Sequence, residues 1–239
     1  MLTQEQISTI ANKQHTTDLN VRREYVQHVF LSNFYQQSEA SNIFFKGGTA
    51  LRIIYKSPRY SEDIDFSSTL QTINEIETAV LETLHAIEKE GIQTEITESK
   101  ETMGGYLATI FFEVGENRVA IQLEISFREK EVKGEVVTIA NDFIPSYTVV
   151  SMSQDLLVKE KLDALVAREK PRDYYDLYFM LRANLLSVED KSVCAQALQK
   201  LQKTQINFEN ELKQFLPKSH WLIIRDFKAA LERELQRFV

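Results

Sequence analysis

The sequence is poor in the features that mark secreted, membrane-bound or zinc-dependent proteins. It holds one cysteine, Cys194, so no internal disulfide framework can form, and a reducing, cytoplasmic setting is expected. The four histidines, at positions 15, 28, 85 and 220, are scattered, and neither HExxH nor a Cys/His ligand pattern occurs, so zinc chemistry is not expected. No apolar run approaches the roughly 18 residues of a membrane span, and the opening "MLTQEQISTIANKQ" has no signal-peptide core, so no membrane partner is expected. Glycine and proline are scarce, at seven and four in 239 residues, while 43% of the chain is hydrophobic and 26% charged. That is the composition of a folded chain, long enough for one large domain or two modest ones. Positive charge is also in deficit, with 28 Lys and Arg against 35 Asp and Glu, for a net charge of −7. This argues against a general nucleic-acid coat, which rests on phosphate neutralisation, and leaves room for a local basic groove.

The apolar pattern divides the chain near residue 150. "TTDLNVRREYVQHVFLSNFYQQ" has helical spacing, with Thr17 or Asp18 as N-cap. "NIFF" reads as a buried strand ending at Lys46, "TALRIIYK" as a short helix, and "TINEIETAVLETLHAIEKEG" as an amphipathic helix closed by Gly91. Residues 92 to 150 alternate as strands separated by "MGG" and "GEN" turns, and everything from Ser153 onward is helical in pattern. Consecutive strands without crossover helices exclude a doubly wound sheet. The order points to an α+β module over 1–150 with a helical region over 151–239.

With glycine so scarce, the pair Gly47–Gly48 stands out. Between a strand and a helix it lets a phosphate approach backbone N–H groups, with the Thr49 hydroxyl beside them, or it simply supplies a turn of positive φ. GxxxxGK[ST] is absent, so this is not a P-loop. In "EDIDFSS", Ile64 and Phe66 face one side and Asp63 and Asp65 the other. Two carboxylates about 4 Å apart repel by some 4 kcal/mol at an effective dielectric of 20, so they call for a counter-charge. Hydrated Mg²⁺ supplies one, and the competing reading is the wet face of an edge strand. "VAIQLEISF" turns Glu124 away from its apolar face, as a third carboxylate or as ordinary strand decoration. In "LLVKEKLDALVAREKPRDYYDLYFML", Lys161 and Arg168 share a helical stripe suited to a triphosphate, or decorate a solvated face. Asp173 suits the N-terminus of the helix that Pro171 opens, while Asp176 could pair with Arg172 or act as a base.

Together "KGGTALR", "RYSEDIDF", "LEIS" and "KEKLDALVAREKPRDYYDL" resemble the four motifs of the AbiEii/AbiGii toxin family, which includes the MenT-type toxins, over roughly residues 40 to 182. The resemblance implies a nucleotidyltransferase fold, a small mixed sheet flanked by helices with a C-terminal helical region. It implies transfer of a nucleoside monophosphate from an NTP, as in the MenT-type relatives that modify the 3′ end of tRNA. It maps the glycine motif onto Gly47, Gly48 and Thr49 with Arg52, the metal aspartates onto Asp63 and Asp65, and the third carboxylate onto Glu124. Ser61, Lys161 and Arg168 join the nucleotide contacts, and Asp173 or Asp176 orients or deprotonates the acceptor. Mg²⁺ is the implied cofactor, and a cognate antitoxin is implied without a stable complex. Two other functions fit the same residues: transfer to a protein or small-molecule hydroxyl, and an NTP-binding module without turnover.

Overall fold

β1 (Ile43–Lys46) and β2 (Ile64–Ser68) lie in the middle of a seven-stranded sheet. The structure is a computed structural model and describes residues 1–70, 72–129 and 132–239. β3 (Thr94–Thr102), β4 (Gly105–Val114) and β5 (Asn117–Ser126) run as an antiparallel meander on one side, and β6 (Gly134–Ile139) and β7 (Tyr147–Met152) form a hairpin on the other, giving the order β3-β4-β5-β2-β1-β7-β6. β2 pairs parallel with β5 and β1 parallel with β7, while β1 and β2 are antiparallel. The sheet is therefore mixed, as the resemblance implied, in an α+β chain, as the strand pattern implied. The chain divides into two compact units: Met1–Lys56 with Tyr60–Ser153, and Ser57–Arg59 with Gln154–Val239.

In the first unit one face of the sheet is apolar. Ile43, Phe45, Ile64, Phe66, Leu123 and Ile125 are all buried there. The face packs on α2 (Asp18–Phe34), whose Phe34 ring lies 5.1 Å from that of Phe66 and 5.4 Å from Phe30. Each such side chain taken out of water stabilises the fold by about 1.5–3 kcal/mol. The helices α1 (Gln4–Lys13), capped reciprocally by Thr3 and Gln6, and α4 (Ile73–Lys89), closed by Gly91 at φ +89°, complete the unit with α3 (Gly47–Ile53). Among the described residues no helix is long and apolar enough to cross a membrane.

Because α2 is buried on nearly every side, its polar side chains need internal partners. Gln27 donates to the Ser61 carbonyl at 3.0 Å, Asn33 donates to Glu90 at 3.2 Å, and His28 Nδ1 shares a 2.7 Å hydrogen bond with the Tyr147 hydroxyl. Burial, reinforced by Lys56 and Arg52, pushes the His28 imidazole down from its usual 6.5 to about 3. Between those values the unfolded chain takes up a proton that the folded chain refuses, so stability is full above pH 6.5 and falls as pH drops toward 3. The melting temperature is therefore expected to decline across this window, and less steeply in His28→Gln. Equal slopes in the two proteins would contradict this assignment.

The second unit is helical: α5 (Gln154–Arg168), α6 (Pro171–Arg182), α7 (Val193–Lys203), α8 (Phe208–Leu212), α9 (Trp221–Arg225) and α10 (Phe227–Leu235). Its core is aromatic, with Tyr175 stacked on Phe227 at 5.7 Å and Phe208 edge-on to both Phe227, at 5.0 Å, and Tyr174, at 5.6 Å.

Two local expectations change. Of the glycine pair it is Gly47, the first residue of α3, that takes the positive φ, at +81°, and Gly48 follows it within the helix. β2 begins at Ile64, so Asp63 stands at the strand's entry. Near the C-terminus α9 and α10 are separated at Asp226, with Leu222 exposed at 73% while Phe227, Leu231 and Leu235 are buried.

Candidate active site

The sheet face opposite the core is polar across its middle strands. Register places Asp65 between Lys46 of β1 and Glu124 of β5, and two residues further along places Ser67 between Phe44 and Ser126. Strand alternation puts all six side chains on one face. Glu129, just past β5, folds back over it: its carboxylate accepts from Ser67 Oγ at 2.8 Å and Ser126 Oγ at 3.0 Å, with Lys46 Nζ at 3.7 Å. Burial pushes the Glu129 carboxyl up, but Ser67, Lys46 and Ser126 outweigh it and hold it below the usual carboxylate range.

Gly47 fixes where the Asp65 carboxylate sits. A Cβ at position 47 would stand 2.6 Å from Asp65 Cγ and 2.7 Å from Asp65 Cβ, closer than side chains tolerate. Only a residue without a side chain both adopts φ +81° and leaves the Asp65 carboxylate against the backbone at the start of α3. Thr49, fully buried, donates its hydroxyl to the Asp63 carbonyl and so ties α3 to the chain entering β2. Gly47→Ala is expected to lower stability by about 1–3 kcal/mol, from the strained φ and the displaced carboxylate. A urea titration checks it; an unchanged midpoint would mean that Asp65 does not depend on this contact.

Arg52 forms a bidentate pair with Glu24, at 2.7 and 3.1 Å, and lies 4.0 Å over the Tyr60 ring. Burial opposes the charge on Arg52, but Glu24 outweighs it and raises the guanidinium pKa. Ser61, partly exposed, gives its carbonyl to Gln27. The exposed Glu124 accepts from Gln122 at 3.3 Å. Asp63 and Asp65, both half-buried, present the hard oxygen donors that Mg²⁺ takes, and Mg²⁺ needs only one or two carboxylates besides water and phosphate oxygens. Among the described residues no group of three or more His, Cys, Asp or Glu stands ready to hold a metal.

In the helical unit the other candidates form ion pairs. Asp176, 1% exposed, accepts from Arg59 Nε and Nη2 at 2.8 and 2.9 Å and from Lys161 Nζ at 2.8 Å. Burial pushes the Asp176 carboxyl up, yet Arg59 and Lys161 together prevail and bring it down to about 2. Asp173 caps α6: it accepts from the Lys170 backbone N–H at 3.1 Å and from Arg168 at 2.7 to 3.1 Å. Arg172 pairs with Glu211 at 3.2 Å, so the expected Arg172–Asp176 contact is replaced by Arg59. Arg59 lies 117 residues before Asp176, and no local pattern in the sequence signals it. Lys46 was legible in principle, since it directly precedes the glycines and pairs antiparallel with the Asp65 strand.

A family model described as nucleotidyl transferase AbiEii toxin, type IV TA system, matches residues 29–238. No curated protein matches the chain. Among solved structures, JHP933 from Helicobacter pylori is similar at a TM-score of 0.68 and 18% identity, covering 93% of each chain. A second H. pylori protein, provisionally described as a nucleotidyltransferase, is similar at a TM-score of 0.60 and 18% identity, covering 93% of this chain and 99% of its own. At these identities the likeness is one of fold.

Proposed function

The chain belongs to the AbiEii nucleotidyl transferase toxin family of type IV toxin–antitoxin systems, and from that premise we propose that it transfers a nucleoside monophosphate from an NTP to an RNA hydroxyl, foremost the 3′ end of tRNA, with pyrophosphate leaving. The observation that carries this reading is the Asp65 carboxylate seated on the Gly47 backbone, in register with Lys46 and Glu124.

Asp63 and Asp65 would hold Mg²⁺, with Glu124 the neighbouring carboxylate along the row. When bound, the ion supplies charge neutralisation at the α-phosphate and acidifies the attacking hydroxyl. Gly47, without a side chain, leaves the room in which the Asp65 carboxylate sits against the backbone. Thr49 and Arg52 act as positioning residues, through the Asp63 carbonyl and through Glu24 respectively. A carboxylate titrating near 2 is a weak proton acceptor at neutral pH, so Asp176 orients Lys161 and Arg59 and is not the general base. Asp173 orders the start of α6 in the same way. Inhibition of translation, a cytoplasmic site of action and a cognate antitoxin are part of the proposal, and membership of a toxin family supports each of them.

The test is incubation of purified protein with each α-labelled NTP, total tRNA and Mg²⁺. Label in tRNA, lost on ribonuclease digestion, supports the proposal. Label in protein bands would move the acceptor to a protein hydroxyl, and no label in any acceptor would overturn nucleotidyl transfer.

A further inference from the structure

Arg22, on the second turn of α2, is only 4% exposed. Buried guanidinium groups are ordinarily paired with carboxylates, because removing the charge from water is costly. Glu24 on the same helix meets Arg52, but among the described residues no carboxylate lies within ion-pair distance of Arg22. Its Nη2 donates to the Gln4 side-chain carbonyl, and its Nε, fully buried, has no hydrogen-bond partner among the described residues. Asp18 stands one turn earlier, at the spacing that would neutralise Arg22. Its carboxylate instead accepts from Gln4 Nε2 at 2.7 Å and Ser8 Oγ at 3.0 Å.

Arg22 lines a cavity of about 330 Å³ with Gln4, Asp18, Leu19, Asn117, Arg118 and Val119. Arg118 stands at its rim, 4.0 Å over the Phe111 ring, with one donor taken by Glu95. A guanidinium offers five donors, so Arg118 has others to give. Arg118 is six residues before Glu124 on β5, about 20 Å along an extended strand. The cavity is thus separate from the Asp65 row, and Arg22 precedes the residues matched by the family model.

We propose that this cavity is a second binding site, one that takes a phosphate group, with Arg22 as its buried anchor and Arg118 as its rim donor. Two arginine forks suit phosphate oxygens. The volume exceeds what phosphate alone fills, and the Asn117 and Gln4 amides with Leu19 and Val119 line the remainder for an organic body.

Calorimetric titration of the full chain without divalent metal tests this, using inorganic phosphate and, separately, a nucleoside monophosphate. Saturable binding is expected, weakened at least about tenfold in Arg22→Met and several-fold in Arg118→Gln, and unchanged in Asp65→Asn. Equal affinity for the two probes identifies free phosphate as the ligand; tighter binding of the nucleoside monophosphate identifies an organic phosphate. Should Arg22→Met fail to fold, Arg118→Gln on the exposed rim carries the test. Absence of saturable binding, indifference to both arginine variants, or loss of binding in Asp65→Asn would overturn the proposal and leave Arg22 as a cation balanced through Gln4 by Asp18.

Discussion

Asp65→Asn is expected to reduce nucleotidyl transfer by about 10²–10³-fold or more, with the fold intact. The substitution keeps the shape that fits against Gly47 and removes only the charge. Asp65 is half-buried on the polar face, and the core of its strand is built from Ile64 and Phe66 on the other side, so the isosteric change leaves the core packing in place. A metal held by an aspartate pair loses half its protein charge when one becomes an amide, and the rate should collapse while the melting temperature barely moves. Glu124→Gln, at an exposed position on the neighbouring strand, should cost less. If Asp65→Asn retained the full rate, the polar row would be strand decoration.

Asp176→Ala should act in the opposite sense, on stability before chemistry. The carboxylate is 1% exposed and holds both Arg59, at 4%, and Lys161, at 11%. Deleting it leaves two cations without the anion they share, and breaking such a buried pair typically costs about 3–5 kcal/mol. Lys161→Met should cost less, because the bidentate Arg59–Asp176 pair survives. Urea denaturation followed by the helical signal measures both. An Asp176→Ala chain as stable as its parent would show that the ion pairs contribute nothing and return Asp176 to the list of candidate bases. Since the folded pKa of about 2 lies below the ordinary value of 3.8, the carboxylate's contribution is complete above pH 3.8 and disappears as pH falls through 2.

The two aspartates show how far the sequence could be read. Pro171 and Asp173 announce the start of α6 through capping chemistry, which is local, and the structure places Asp173 at that cap. Asp176 draws its environment from Arg59, 117 residues away, so its character depended on tertiary folding. The strands were legible for the same reason as the cap: Val119, Ile121, Leu123 and Ile125 alternate with polar residues, and all four are buried. Gly47 and Gly48 looked equivalent in sequence, and the positive φ of Gly47 and the approach of Asp65 to it became visible only in the fold. Glu129 escaped notice because it reaches Ser67 and Lys46 from a loop beyond β5, where periodicity carries no information. Arg22, inside a helix with no strong amphipathic signal, became informative only once its burial, with no carboxylate paired to it among the described residues, was visible.

The most direct measurement is a pair of reactions, one with an α-labelled and one with a γ-labelled NTP, each with tRNA and Mg²⁺. Nucleotidyl transfer predicts that the α-label enters the acceptor and the γ-label leaves as pyrophosphate, both abolished by Asp65→Asn. Entry of the γ-label into the acceptor, or α-label transfer that survives Asp65→Asn, would contradict the account.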